Sequence, residues 1–88
     1  MHAVLVDVSI SDFDQARKEL DESVVPMASK APGFVSGVWV RAQAAKGRAI
    51  VVFESEEAAK AAADQIRATA RAGVTIDSVD VGEVVARA

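Results

Sequence analysis

Two runs, "AVLVDV" at residues 3–8 and "AIVVFE" at residues 49–54, are apolar at nearly every position. A strand with one face in water alternates apolar with polar, because successive side chains point to opposite faces of the sheet. These two runs do not alternate. Val4, Val6 and Val8 oppose Ala3 and Leu5, while Ala49, Val51 and Phe53 oppose Ile50 and Val52. Both strands therefore belong in the middle of a sheet that is apolar on its two faces. Every other element has to be placed around that requirement.

A first helix follows strand one. Either Ser11 or Asp12 can cap it, and Asp12 followed by Gln15 has capping-box spacing. Phe13, Ala16, Leu20, Val24 and Met27 recur at helical intervals and predict one buried stripe. Pro26 has no N–H to donate, so a kink or break is expected near Val25, with a last short turn running to Lys30. "APG" then ends the helix.

Residues 34–42 alternate as a second strand. Phe34, Ser36, Val38 and Val40 lie on one side, and Val35, Gly37, Trp39 and Arg41 on the other. "QAAKG" reads as a hairpin loop, and the third strand runs from Arg48 to Glu54. Ser55 caps a second helix, with Glu56 and Glu57 in the first turn where the helix dipole favours acids. Its apolar face is Ala59, Ala62, Ala63 and Ile66. Arg67 and Arg71 suit its C-terminal end, and Gly73 is the expected left-handed residue that stops it. A last strand, Val74 to Arg87, changes apolar phase between Ile76 and Val79, the shift that one bulge residue produces.

The order β-α-β-β-α-β predicts an α+β, ferredoxin-like single domain over residues 1–88, with a four-stranded antiparallel sheet and strands one and three central. Two helices cover only one face of such a sheet. The other face measures roughly 20 by 19 Å, or about 400 Å² in projection. That equals the largest exposed apolar patch of a typical monomer. A homodimer that buries this face against a second copy is expected.

Composition excludes several roles. The formal net charge of the 88 residues is −3 and the basic residues are scattered, which argues against a nucleic-acid partner or a membrane surface. There is no cysteine, so disulfides, zinc thiolates and thiol nucleophiles are out. No apolar run approaches the ~20 residues of a membrane span. "MHAVLVDVSIS" lacks the basic region of a signal peptide, so the cytoplasm is the expected location. No cofactor is expected. The chain has one histidine, no tyrosine and no asparagine, which leaves few groups for acid–base work.

Six residues stand out as candidates. Trp39 offers a stacking wall for a planar ligand, or a packed side chain with its indole N–H bonded. Arg41, two residues on, suits a ligand carboxylate or snorkels to water. Phe13 and Met27 on the first helix line the same helix–sheet space, or belong to its core. Asp7, near the end of an apolar strand, is an acid–base candidate or a solvated strand end. His2 is a base candidate, expected to be exposed near the chain terminus.

The stretch "VVPMASKAPGFVSGVWVRAQAAKGRAIVVFESEEAAKAA" resembles the antibiotic-biosynthesis-monooxygenase-like group of dimeric α+β barrels. The likeness lies in a first helix ending near Pro26, "APGF" leading into strand two, a tryptophan on that strand, and "VVFESEEAA" leading into an Ala-rich helix. It implies a pair of ferredoxin-like units whose sheets meet as a barrel, with a site between helices and sheet in each subunit. Members of the group include cofactor-free oxygenases, and the enzyme expectation for this chain is a cofactor-free oxidation or isomerisation of a flat apolar molecule in the helix–sheet cleft, near the candidates Trp39 and Asp7. Haem-degrading members rely on asparagine, tryptophan and histidine. This chain has no asparagine, and His2 matches no haem-ligating position, so no catalytic residue is carried over. The alternative is a non-catalytic binding or structural dimer.

An RNA-recognition domain shares the element order. "KGRAIVVF" fails its third-strand motif at Arg48 and Ile50, where stacking aromatics belong. A regulatory amino-acid-binding domain of this topology wants a glycine-containing turn after strand one, and "DVSISD" has none.

Overall fold

In the computed structural model, which describes residues 1–69 and 73–88, the chain follows the expected order. Strand β1 (His2–Ile10) leads to α1 (Phe13–Glu19), a π-helical turn (Leu20–Val24) and α2 (Val25–Ser29). Then come β2 (Phe34–Gln43), β3 (Lys46–Phe53), α3 (Glu56–Ala68) and β4 (Val74–Glu83). The sheet is antiparallel with strand order β2-β3-β1-β4, so the two continuous apolar runs are central. The fold is α+β with one four-stranded antiparallel sheet and a single helical layer against one face, an arrangement compatible with the ferredoxin-like topology.

The caps form as their residue types require. Asp12 Oδ1 accepts from the Gln15 N–H at 3.1 Å, and Ser55 Oγ accepts from the Ala58 N–H at 3.1 Å. Each satisfies one orphan donor of a helix start. α3 packs on β1, β3 and β4. It places Ala59 and Ala63 against Val4, Val6, Val51 and Phe53, and all six are buried. Alanine at the contact lets the helix backbone approach the sheet closely. Burial of Val4 and Phe53, the largest fully buried side chains, stabilises the fold by about 1.5–3 kcal/mol each.

The expected irregularity near Val25 is present, and Pro26 opens the last short helix. A π turn comes first, with the Val25 N–H donating to Leu20 O, and Pro26 then sits in the opening turn of α2, where its missing donor costs least. Other expectations need correction. The π turn inserts a residue into the helical phase, which rotates Met27 off the stripe. Met27 is 46 % exposed, and Phe13, Ala16, Leu20 and Val24 are half-buried. The hairpin is tighter than expected, because β2 runs to Gln43 and β3 begins at Lys46. Phe34 is on the helix side, edge-on to Phe53 at 6.3 Å. The register shift between Phe34 and Ser36 adds the residue that carries it across. β4 stops at Glu83 rather than Arg87.

The expected bulge is present. Asp7 pairs with Ser78 and Val8 with Ile76, so Asp77 is the extra residue. Gly73 has φ +74° and its carbonyl accepts from the Ser11 and Asp12 N–H groups. It therefore turns the chain into β4, while α3 has already ended at Ala68. Arg71 lies outside the described residues.

Candidate functional site

Cross-strand register sorts the sheet into two faces. On the helix side, Trp39, Ala49, Val6 and Val79 lie in one row, and Gly37, Val51, Val4 and Val81 in the next. On the open side one row is Val38, Ile50, Leu5 and Asp80, flanked by Ser36, Val52, Ala3 and Gly82, and by Val40, Arg48, Asp7 and Ser78.

The Trp39 ring lies back along β2 over Gly37. A Cβ at Gly37 would stand 2.6 Å from Trp39 Cη2, so glycine is what gives the ring its place. Trp39 is half-buried and packs against the core. Arg41 goes the other way. Its guanidinium carbon is 3.8 Å from the centre of the Phe13 ring, a cation–π contact, and Nη2 donates to Ala44 O at 3.2 Å. This ties the start of α1 to the β2–β3 hairpin. Among the ligand-binding candidates the structure thus joins Phe13 with Arg41, sets Trp39 beside Gly37 and leaves Met27 exposed on α2.

The acid–base candidates separate. Asp7 shares the open face with Leu5, whereas Trp39 is on the helix side, so the two do not meet in one cleft. Asp7 Oδ1 is 3.0 Å from Arg48 Nε, and Oδ2 accepts from Ser78 Oγ at 3.1 Å. His2 is not the exposed terminal residue expected. It pairs in register with Phe53 and Glu83, and its side chain is 22 % exposed with Nε2 3.5 Å from Glu56 Oε2. Its Nδ1 is buried without a hydrogen-bond partner. Sheet pairing at the start of β1 holds the ring down against the beginning of α3.

A second polar network on the open face was not anticipated. Lys46 Nζ donates to Ser9 Oγ at 2.8 Å and to Asp77 Oδ2 at 3.3 Å, and Ser9 Oγ donates to Asp77 Oδ2 at 2.7 Å. The Ser9 hydrogen bond above all holds the Asp77 carboxyl below its ordinary value of 3.8; desolvation opposes it, and the hydrogen bond and charge of Lys46 add to the lowering. The sequence signal was the bulge itself, since it is the bulge that sets Asp77 beside Ser9.

Two shallow cavities, about 300 and 340 Å³, lie at the hairpin end, among Asp7, Lys46, Arg48 and Asp77, and beside α3, among Lys60, Asp64, Arg67 and Asp80. Neither is lined by Trp39, Arg41, Phe13 or Met27. Among the described residues, no group of three or more His, Asp or Glu side chains is placed to hold a metal ion, and no helix is long and apolar enough to cross a membrane.

The open face is the least finished part of the molecule. Leu5, Val38, Val40 and Ile50 are between 41 % and 58 % exposed. Fold and surface together define a small α+β protein with one apolar sheet face uncovered. No protein-family model matches the chain, and no curated protein matches it either.

Proposed function

We propose that the chain works as a homodimer of the monooxygenase-like kind, in which the open sheet faces pack together and a flat apolar small molecule is held on the helix side beside Trp39. The observation that carries this reading is the exposed block of Leu5, Val38, Val40 and Ile50. Apolar side chains in adjacent register positions on neighbouring strands form a continuous patch, and such a patch on a small protein marks an interface. A second copy is the occupant that fits. The open face carries both Asp7 and Arg48, so it is complementary in charge to itself. Edge-to-edge pairing is disfavoured, because β2 has register shifts near both ends and β4 carries Asp77, Asp80 and Glu83. Two faces of about 400 Å² in projection bury more than that as accessible area, which places the pair at the small end of specific interfaces.

The helix side supports the ligand part. Among the described residues, none of α1, the π turn or α2 is fully buried. A π turn in a helix often accompanies a functional site. Binding without catalysis is the form of this reading that the geometry favours. Asp7 is on the other face, and of the two acid–base candidates only His2 shares the side of Trp39. Cofactor-free oxidation or isomerisation would have to use His2 or a group of the ligand itself.

A native mass spectrum of the protein as purified tests both parts. A dimer carrying an added small-molecule mass is expected. A monomer at tens of micromolar overturns the assembly. A bare dimer that also leaves Trp39 fluorescence unchanged across a panel of planar aromatics overturns the ligand.

A further inference from the structure

We infer that the two-fold axis of this dimer runs along the strands between β1 and β3, so that the Asp7–Arg48 pair of one copy meets the Arg48–Asp7 pair of the other in a closed ring of four charges. The inference rests on the proposed homodimer and adds its register and the device that fixes it. A two-fold can lay this face on itself in several ways, and they differ in how they set its charges.

The register pairs Asp7 with Arg48, Leu5 with Ile50 and Ala3 with Val52 across β1 and β3. An axis between these strands sets β1 of one copy over β3 of the other. Leu5 then faces the partner's Ile50, Ala3 faces the partner's Val52, and Asp7 faces the partner's Arg48. An axis along β3 would set Arg48 on the partner's Arg48. An axis across the strands through Ile50 would set Asp80 on the partner's Asp80 and press Asp7 and Arg48 against alanine and valine. Like charges in apposition and buried unpaired charges are both strongly unfavourable. The first arrangement places Asp80, on the edge strand, over the partner's Val38, and of the three it alone pairs both central charges, Asp7 and Arg48.

The structure prepares that ring within each chain. Arg48 Nε is 3.0 Å from Asp7 Oδ1, and Ser78 holds the other carboxylate oxygen. A guanidinium bound through Nε keeps further N–H donors free for a second carboxylate. The ring adds less to affinity than to specificity, since burying charges offsets much of their attraction.

Charge-swapped variants test this by analytical ultracentrifugation, with far-UV circular dichroism as the check on folding. D7R alone makes the pair two cations and R48D alone makes it two anions. Each variant is expected to raise the dimer dissociation constant by roughly 30-fold or more. An equimolar mixture of the two is expected to dimerise again. The double swap D7R/R48D keeps the pair within the chain, so it is the decisive variant if a single one loses its sheet signal. It should dimerise with itself and refuse the wild-type chain, because Asp7 of the wild type would then face an acid. Wild-type-like dimerisation of both single variants, or a statistical mixture of the double swap with wild type, overturns the ring and leaves the homodimer standing. A monomeric wild-type chain overturns both.

Discussion

Both faces of the sheet carry apolar rows, but the open face also holds Asp7, Arg48, Asp80 and Ser78, and the two faces meet opposite fates. On the helix side, Val4, Val6, Val51 and Phe53 are buried under α3. On the open side, Leu5, Val38, Val40 and Ile50 remain in contact with water. Strand alternation delivers apolar side chains to both faces alike. What differs is the cover, and the chain has only enough helix for one face. Cover decides the fate of the large side chains, whereas the smaller Ala3 and Val52 are buried on the open side as well.

The sharpest way to break this contrast is to truncate one large residue on each face. Phe53→Ala removes a fully buried ring, and a loss of about 3–5 kcal/mol is expected in urea unfolding. Ile50→Ala, measured dilute enough that the proposed homodimer is dissociated, is expected to cost under about 1 kcal/mol, because that side chain is already half in water. Equal losses at the two positions would mean that the open face is covered within a single chain. Ile50→Asp takes the contrast in the other direction. It should raise the dissociation constant of the proposed homodimer by about 100-fold or more and leave the circular dichroism of the fold intact.

The covered face is itself uneven. α3 is fastened by buried alanines, whereas the α1–π–α2 segment rests on half-buried contacts and the Phe13–Arg41 stack. Gly37→Ala sharpens this difference. The new methyl group meets the Trp39 ring at 2.6 Å, so the ring must shift, at a cost of about 1–3 kcal/mol. The emission of Trp39, the single tryptophan, should move with it. An unchanged spectrum and an unchanged melting curve would show that the ring has room to spare beneath the first helical segment.

How much of this was legible beforehand follows the same physics. The unbroken apolar runs of β1 and β3 marked the central strands, and the period of two gave both face assignments, because that period survives wherever no residue is inserted. It failed at Phe34, where a register shift changes the parity, and at Met27, where the π turn changes the helical phase. Both are single-residue insertions that leave no mark in residue type. The bulge in β4 was readable because its apolar phase visibly shifts between Ile76 and Val79. The charge pairs on the open face were not readable, since Arg48 meets Asp7, and Lys46 meets Ser9 and Asp77, only once register is fixed. His2 was misplaced because nearness to the terminus argues for exposure, while pairing with Phe53 and Glu83 holds it in the sheet.

The smallest expected effect belongs to Asp77, and its sign can be stated. The Ser9 hydrogen bond and Lys46 lower its carboxyl below 3.8 in the folded chain. A carboxyl with a depressed folded value binds fewer protons than in the unfolded chain, so it contributes stability above the unfolded value and loses it as pH falls through the folded one. Asp77→Asn should therefore unfold at slightly lower urea than wild type at pH 6, with the gap closing as the pH drops from about 4 toward 2. The site is open to water, so the gap stays small and salt narrows it. A gap that persists unchanged at pH 2 would assign the contribution to the neutral hydrogen bond with Ser9 and not to the charge. A gap that widens in acid would contradict the direction of the shift, and with it the picture of Asp77 as the bulge residue held between Ser9 and Lys46.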